Sequence, residues 1–277
     1  MAPLLLTLGR GVVTGLGKRP SAGADLPRER LTRSAVRIDP ARLAAYARVC
    51  GYPPGGGLRG GGLPLTYPHI LGFPLAARLM AARAFPLPLL GLVHTSVTIT
   101  SDGALTAGDR PDLAVHATGL RPHRRGTEVT VVTSASLGGA VVWEDRSTYL
   151  ARHHVPAQED ADPPPPPGPG GPALPVVARW PLPAGLGRQH ARVSGDYNPI
   201  HLSALTARPF GFPRAIVHGM WSVARCAAQF PAARGISARF HHPVLLPSTV
   251  EFAATPTTFQ LRTPPSGPLH VTGHVTP

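Results

Sequence analysis

The sequence predicts an α+β chain made of two like halves, each with helix packed on antiparallel strands. Three observations carry this. One apolar helical run followed by four strand-like stretches occurs twice. A pentapeptide precedes each helical run, Ala47-Arg48-Val49-Cys50-Gly51 in the first half and Ala191-Arg192-Val193-Ser194-Gly195 in the second. Between the halves lies a Pro/Gly-rich stretch, Gln158 to Pro175, with Pro163 through Pro167 unbroken. Proline there removes donors and holds an extended path, so the stretch reads as a linker. Helix followed by a run of strands points to α+β rather than to alternating α/β. The expected division is a loose tail over 1–25, a first repeat over 26–157, the linker over 158–175 and a second repeat over 176–277.

In the first half, Tyr67-Pro68-His69-Ile70 opens the helical run, which continues to Leu79-Met80. The strands expected after it are Val93 to Thr100, Asp112 to Leu120, Thr127 to Leu137 and Ala140 to Leu150. Val and Thr alternate around 128–134, the period of two expected of half-buried antiparallel strands. In the second half, Ile216-Val217-His218-Gly219 leads into a run ending near Gln229-Phe230. The strands expected there are Ser237 to His242, Thr249 to Ala254, Thr258 to Arg262 and His270 to Val275.

With 277 residues and 43% hydrophobic content, the chain can bury a real core and is not globally disordered. The formal net charge of +13 is carried almost wholly by Arg, Lys18 being the only lysine. The arginines are scattered rather than striped along a helix, aromatics are few, and no nucleic-acid module is recognisable. Nucleic-acid binding is therefore not expected. Cys50 and Cys226 are too few for a disulfide scaffold or the usual zinc cage, and read as buried free thiols. The N-terminus lacks a basic leader with a long apolar region, and no run approaches ~20 apolar residues. A cytoplasmic protein that neither spans nor binds a membrane is expected.

The chemistry concentrates in Val193-Ser194-Gly195-Asp196-Tyr197-Asn198-Pro199-Ile200-His201. Asn198 as N-cap and Pro199 at the first helical position make a favoured helix start. His201 is then expected in the first turn, where the positive end of the helix dipole keeps its imidazole neutral. Asp196 lies in the preceding loop, and the turn folds the two together. A carboxylate and a neutral imidazole sharing one water can take its proton and return one to carbon. An ordinary turn, with His201 capping a backbone group, is the competing reading. Gly219 stands at or near the start of the next helix, where backbone N–H groups lack partners and could stabilise an enolate oxyanion. His218 reads as a structural, hydrogen-bonding histidine.

Gly195-Asp196-Tyr197-Asn198-Pro199-Ile200-His201 and Phe212-Pro213-Arg214-Ala215-Ile216-Val217-His218-Gly219-Met220 together resemble the signature of MaoC-like dehydratases, the (R)-specific enoyl-CoA hydratases. Arg239-Phe240-His241-His242-Pro243-Val244-Leu245-Leu246-Pro247 resembles the strand that follows that family's central helix. The resemblance is sharp over about residues 180–255. It extends more loosely through Leu63-Pro64-Leu65-Thr66-Tyr67-Pro68 and Phe85-Pro86-Leu87-Pro88 to actinobacterial 3-hydroxyacyl-thioester dehydratases with two fused repeats.

The resemblance implies a double hotdog, in which each repeat wraps a curved antiparallel sheet around a central helix. It also implies a hydro-lyase of fatty-acid metabolism, reversibly hydrating trans-2-enoyl thioesters to (R)-3-hydroxyacyl thioesters. Asp196 and His201 would activate the water, Gly219 N–H would bind the thioester oxygen, and Asn198 would shape the loop. No cofactor and no metal are implied. The substrate would be an acyl-CoA or an acyl-ACP, with an acidic acyl carrier protein as a possible partner. Either a monomer, its repeats forming a pseudo-dimer, or a homodimer would fit.

The chain also departs from the pattern. Gly51-Tyr52-Pro53-Pro54 falls where the first repeat would carry the motif, without Asp or His, so one active site per chain is expected, with the first half shaping an acyl tunnel. Ala227 aligns where some single-repeat relatives place a Ser, and Ser222 is not assigned that role. Gly55 through Gly62, interrupted by Leu58 and Arg59, lacks the Lys-Ser/Thr and preceding strand of a phosphate loop. Adjacent His241 and His242 would point apart on a strand. Arg188, Arg208 and Arg214 read as solvated surface that could meet carrier phosphates. A hotdog acyl-thioesterase and a non-catalytic acyl-thioester-binding subunit are the alternative functions; the second has no need of both Asp196 and His201.

Overall fold

The computed structural model describes Lys18 and residues 20–53, 61–89, 91–155 and 174–277. The prolines Pro163 through Pro167, nearly all of the glycine-rich segment before Gly61 and most of the N-terminal tail lie outside the described residues.

Each half begins with a short strand and a helix stopped by glycine. Strand β1 (Leu31–Arg33) precedes α1 (Pro40–Cys50), and β6 (Val176–Leu182) precedes α3 (Leu186–Ser194). Asp39 caps α1, its carboxylate accepting from the Ala41 and Arg42 N–H groups, with Pro40 at the first helical position. The two repeated pentapeptides end these helices. Gly51 (φ 72°) and Gly195 (φ 85°) take up the left-handed conformation that turns the chain out of the helix. Next come the longer helix α2 (Tyr67–Ala81) in the first half, and α4 (Ala204–Ala207) and α5 (Gly219–Ala227) in the second.

Four strands then follow in each half. These are β2 (Leu92–Ser101), β3 (Asp112–His123), β4 (Gly126–Leu137) and β5 (Ala140–Arg152), and later β7 (Gly235–Phe240), β8 (Ser248–Ala254), β9 (Thr258–Arg262) and β10 (Leu269–Thr276). All eight were expected from the sequence to within a few residues. The edge strands β1 and β6 were not, because one has three residues and the other carries Pro181. Proline is tolerated at a sheet edge.

The ten strands form one antiparallel sheet in the order β1-β3-β4-β5-β2-β7-β10-β9-β8-β6. Read outwards from the central β2–β7 pair, the two halves have the same order. The pair is registered from Ser96↔Arg239 to Thr100↔Gly235. The core is continuous across this seam: Ile99, Val97, Leu79 and Phe85 from the first half join Ile236, Phe252, Phe259 and Val223 from the second. Cys50 and Cys226 are free and buried, as expected. No helix among the described residues is long and apolar enough to cross a membrane.

Candidate active site

The site forms where α3 ends, the Asp196 loop turns, and α5 begins. Gly195 stops α3, its N–H bonding the Ala191 carbonyl at 2.8 Å. The loop then stabilises itself: Asp196 N–H donates to Ser194 Oγ (3.1 Å), and Asn198 N–H donates to Asp196 Oδ1 (3.0 Å). That bond occupies one carboxylate oxygen and leaves Oδ2 for the site. Asn198 closes the turn with its own side chain, which accepts from Ile200 N–H.

Pro199–His201 is a single 3-10 turn of three residues, not the start of a longer helix. The helix-dipole expectation for His201 therefore fails, since three residues align too few peptides to build a macrodipole. Burial does the same work. His201 is 7% exposed, and desolvation lowers its pKa to about 3, assisted by His218 and opposed by Asp196 and the Ile216 carbonyl. His201 Nδ1 lies 2.8 Å from the Ile216 carbonyl, which can only accept. Nδ1 therefore carries the proton, and Nε2 presents a lone pair.

Packing fixes this turn from behind. A Cβ on Gly187, in α3, would come within 1.9 Å of the His201 carbonyl oxygen, so only glycine lets the helix approach this closely. Ile216 N–H bonds the Ile200 carbonyl at 3.0 Å, and Val217 N–H bonds the Val244 carbonyl at 2.9 Å. The segment leading to α5 is thus tied to the His201 turn on one side and to residues 244–246 on the other.

His218 makes a hydrogen bond, as expected of it. Its Nε2–H donates to the Asp196 carbonyl at 3.0 Å and lies 3.9 Å from Asp196 Oδ2. Its ring stacks on His201 with centroids 3.7 Å apart and meets the tilted His190 ring at 4.5 Å. Asp196, His201 and His218 bring donor atoms within 4.8 Å of one another. One water can bridge groups so spaced, and the set has the chemistry of a divalent-cation site. The His201 and His218 rings are stacked, 24° from parallel.

Gly219 is the first residue of α5, and its N–H has no acceptor among the described residues. Asp196 is 27% exposed, Gly219 is half-buried, and His201 is buried behind them. Gly219 directly follows His218, whose ring stacks on His201 and bonds the Asp196 carbonyl, so the free N–H adjoins the Asp196–His201–His218 cluster in sequence. In the first repeat the corresponding corner is filled: Tyr46 and Tyr52 both bond Thr66 Oγ1, and the Arg225 side chain packs against Gly51. Arg188 and Arg214, read as candidate phosphate contacts, bond the Leu202 and Pro247 carbonyls at the surface. His241 and His242 bond Thr272 Oγ1 and the Leu269 carbonyl respectively, and do not act together.

Several residues around the site were not singled out from the sequence. Arg42, in α1, donates to the Val193 carbonyl (2.7 Å) and the Ser194 carbonyl (3.0 Å). It caps α3 two residues before Asp196, and no local pattern announces a contact spanning 151 positions. Arg42→Met keeps the aliphatic stem and removes both bonds. It is expected to lower stability by about 1.5–3 kcal/mol, read from the urea midpoint, and to lower turnover by loosening the loop; an unchanged midpoint would contradict this. Asp145, Ser147 and Tyr149 did leave a signal, three polar-tipped residues at alternate positions facing inward on β5.

The buried imidazoles make stability acid-sensitive. His94 and His201 each have a folded pKa of about 3 against ~6.5 in an unfolded chain. The unfolded state therefore binds more protons between these values. Stability is complete above pH 6.5 and is lost as pH falls towards 3, on the order of 1 kcal/mol per pH unit for His201 alone. The melting temperature should fall steadily from pH 6.5 to 4.5; a level curve would rule out buried neutral histidines.

A family model described as the MaoC like domain matches residues 186–263, which include Asp196, His201 and Gly219. The 3-hydroxyacyl-thioester dehydratase X of Mycobacterium tuberculosis is 40% identical over 229 residues, covering 81% of this chain and 79% of that protein. The crystal structure of the M. tuberculosis protein HtdX superposes with a TM-score of 0.75 at 34% identity, covering 89% of this chain and 99% of the other. A MaoC-like dehydratase from Phytophthora capsici gives a TM-score of 0.74 at 18% identity, over 93% of this chain and 98% of the other. An M. tuberculosis protein with a double hotdog fold gives 0.51 at 13% identity, over 92% and 98%. The last two likenesses concern the fold alone, and the fold is the α+β double hotdog expected from the sequence.

Proposed function

This chain belongs to the MaoC-like dehydratase family, and we propose that it reversibly hydrates trans-2-enoyl thioesters to (R)-3-hydroxyacyl thioesters. The observation that carries the reading is the clustering of Asp196, His201 and His218, with donor atoms within 4.8 Å of one another, directly before the unpaired Gly219 N–H at the start of α5, with Asp196 partly exposed. In the hydration direction, Asp196 and His201 hold a water. As its oxygen bonds to C3, the pair takes one of its protons, and the C2–C3 π electrons move to form an enolate. The Gly219 N–H stabilises the charge on the thioester oxygen. The enolate collapses as the proton returns to C2. Asp196 and His201 are the residues we assign to proton transfer, Gly219 to the oxyanion, and Asn198 to shaping the loop.

The acyl group would be carried by CoA or by an acyl carrier protein, for which the net charge of +13 is suited by sign. We place the reaction in fatty-acid metabolism in the cytoplasm, with one active site per chain. The bounds expected for the two repeats and the linker, and a chain acting as a monomeric pseudo-dimer or a homodimer, remain part of this reading. The test is loss of enoyl absorbance from crotonyl-CoA and longer 2-enoyl-CoAs. Release of free thiol without hydration would instead make the protein a thioesterase.

A further inference from the structure

Near Asp196, the first repeat presents polar groups that the proposed chemistry does not use. His94, on β2, pairs with Tyr149 of β5, and their rings stack with centroids 4.6 Å apart. His94 also meets Phe240 of the second repeat at 4.9 Å. Phe240 in turn covers Gly219: a Cβ built there would lie 3.0 Å from its ring. His94, Tyr149, Phe240, Gly219 and Asp196 are all half-buried, and Phe240 links His94 to Gly219 by touching both. The field of Asp196 reaches both His94 and Tyr149.

Behind them stands a satisfied support. Asp145, 1% exposed, accepts from Ser147 Oγ at 2.7 Å through Oδ1 and bonds His69 Nδ1 through Oδ2. The His69 ring lies 11° from parallel with His94, their centroids 6.5 Å apart. Within this group His94 Nε2 is buried and has no hydrogen-bond partner. Burial keeps its imidazole neutral, with a pKa lowered to about 3. A buried polar atom left unpaired costs about 1–3 kcal/mol, a cost removed when a bound molecule supplies the partner.

We propose that His94 is a specificity-determining residue of the acyl-thioester site, its Nε2 hydrogen-bonding a polar group of the substrate near the reacting carbons. Tyr149 and the His69–Asp145–Ser147 group hold its ring in place. The inference rests on the proposed function. Two parts of a thioester carry suitable chemistry, an amide of the pantetheine arm or an oxygen on the acyl chain. A site with this atom selects against a substrate that leaves it unpaired.

His94→Phe keeps the ring contacts and removes the nitrogen. It is to be compared with the native protein on crotonyl-CoA, on S-ethyl thiocrotonate, which has neither polar group, and on the S-ethyl thioester of 5-hydroxy-2-hexenoate. The expected result is an approximately tenfold fall in kcat/KM, mostly through KM, on the substrate that supplies the partner, with S-ethyl thiocrotonate unaffected. A fall on crotonyl-CoA assigns the partner to the arm, and a fall on the hydroxylated thioester assigns it to the acyl chain. Equal kcat/KM on all three substrates overturns the proposal, as does an equal fall in kcat on all three. Calorimetry with butyryl-CoA and with the S-ethyl thioester of 5-hydroxyhexanoate, both saturated and unreactive, reads the same contact without turnover. Should the native protein hydrate none of the enoyl thioesters, the proposed function fails. The inference is then judged by affinity: weaker binding of either probe to His94→Phe supports it, and unchanged affinity for both overturns it.

Discussion

Asp196→Asn and His201→Asn are each expected to lower kcat for enoyl-thioester hydration by ~10²–10⁴, the usual contribution of general acid–base catalysis. Both substitutions are chosen to spare the fold. Asn at 196 keeps an oxygen to accept from the Asn198 N–H, bonded at 3.0 Å, while replacing the oxygen that faces the water. Asn at 201 can still donate to the Ile216 carbonyl through its amide, yet has no atom at the Nε2 position. His201→Ala should be as inactive and less stable, because it also leaves that carbonyl unpaired. Undiminished turnover in the two Asn variants, measured alongside unchanged circular dichroism, would remove these residues from the reaction. The acid-stability prediction separates the two roles of His201: loss of the imidazole should flatten part of the fall in melting temperature below pH 6.5.

The second large effect is expected at Gly219. Gly219→Ala keeps the N–H and adds a Cβ at 3.0 Å from the Phe240 ring, which must give by a few tenths of an ångström. Gly219→Pro places its Cβ at about the same point, adds two further ring carbons and removes the N–H. Proline is tolerated at the first position of a helix, and His218 before it is already extended, with φ −62° and ψ 132°. The two variants should therefore fold alike, and the Pro variant should have ~10²–10³ lower kcat than the Ala variant, as for loss of one oxyanion donor. Equal rates would mean that the thioester oxygen is held elsewhere.

The sequence was informative wherever the cause of structure is local. The Val/Thr alternation of 128–134 places β4, because a two-residue period has one physical explanation in a sheet. The repeated pentapeptides mark helix ends because glycine alone enters the left-handed region at little cost. Asp196 and His201 could be paired because a short turn leaves few ways to arrange five residues. The neutral state of His201 was expected, but from a helix that does not form. The actual cause, burial against Ile216 and His218, depends on segments that the His201 turn meets only after folding.

By itself the sequence determined the α+β class, the doubling of the scaffold and the two short signatures that hold the proposed reacting groups. Tertiary structure alone decided which groups surround them. Arg42 reaches 151 positions to hold Val193, and His69 reaches 76 to hold Asp145. His94 meets Phe240 only because β2 and β7 pair at the centre of the sheet. Side-chain spacing within a strand or turn is fixed by backbone geometry, which sequence patterns record. Contacts between distant elements are fixed by how the core closes, and no local pattern of residues encodes that.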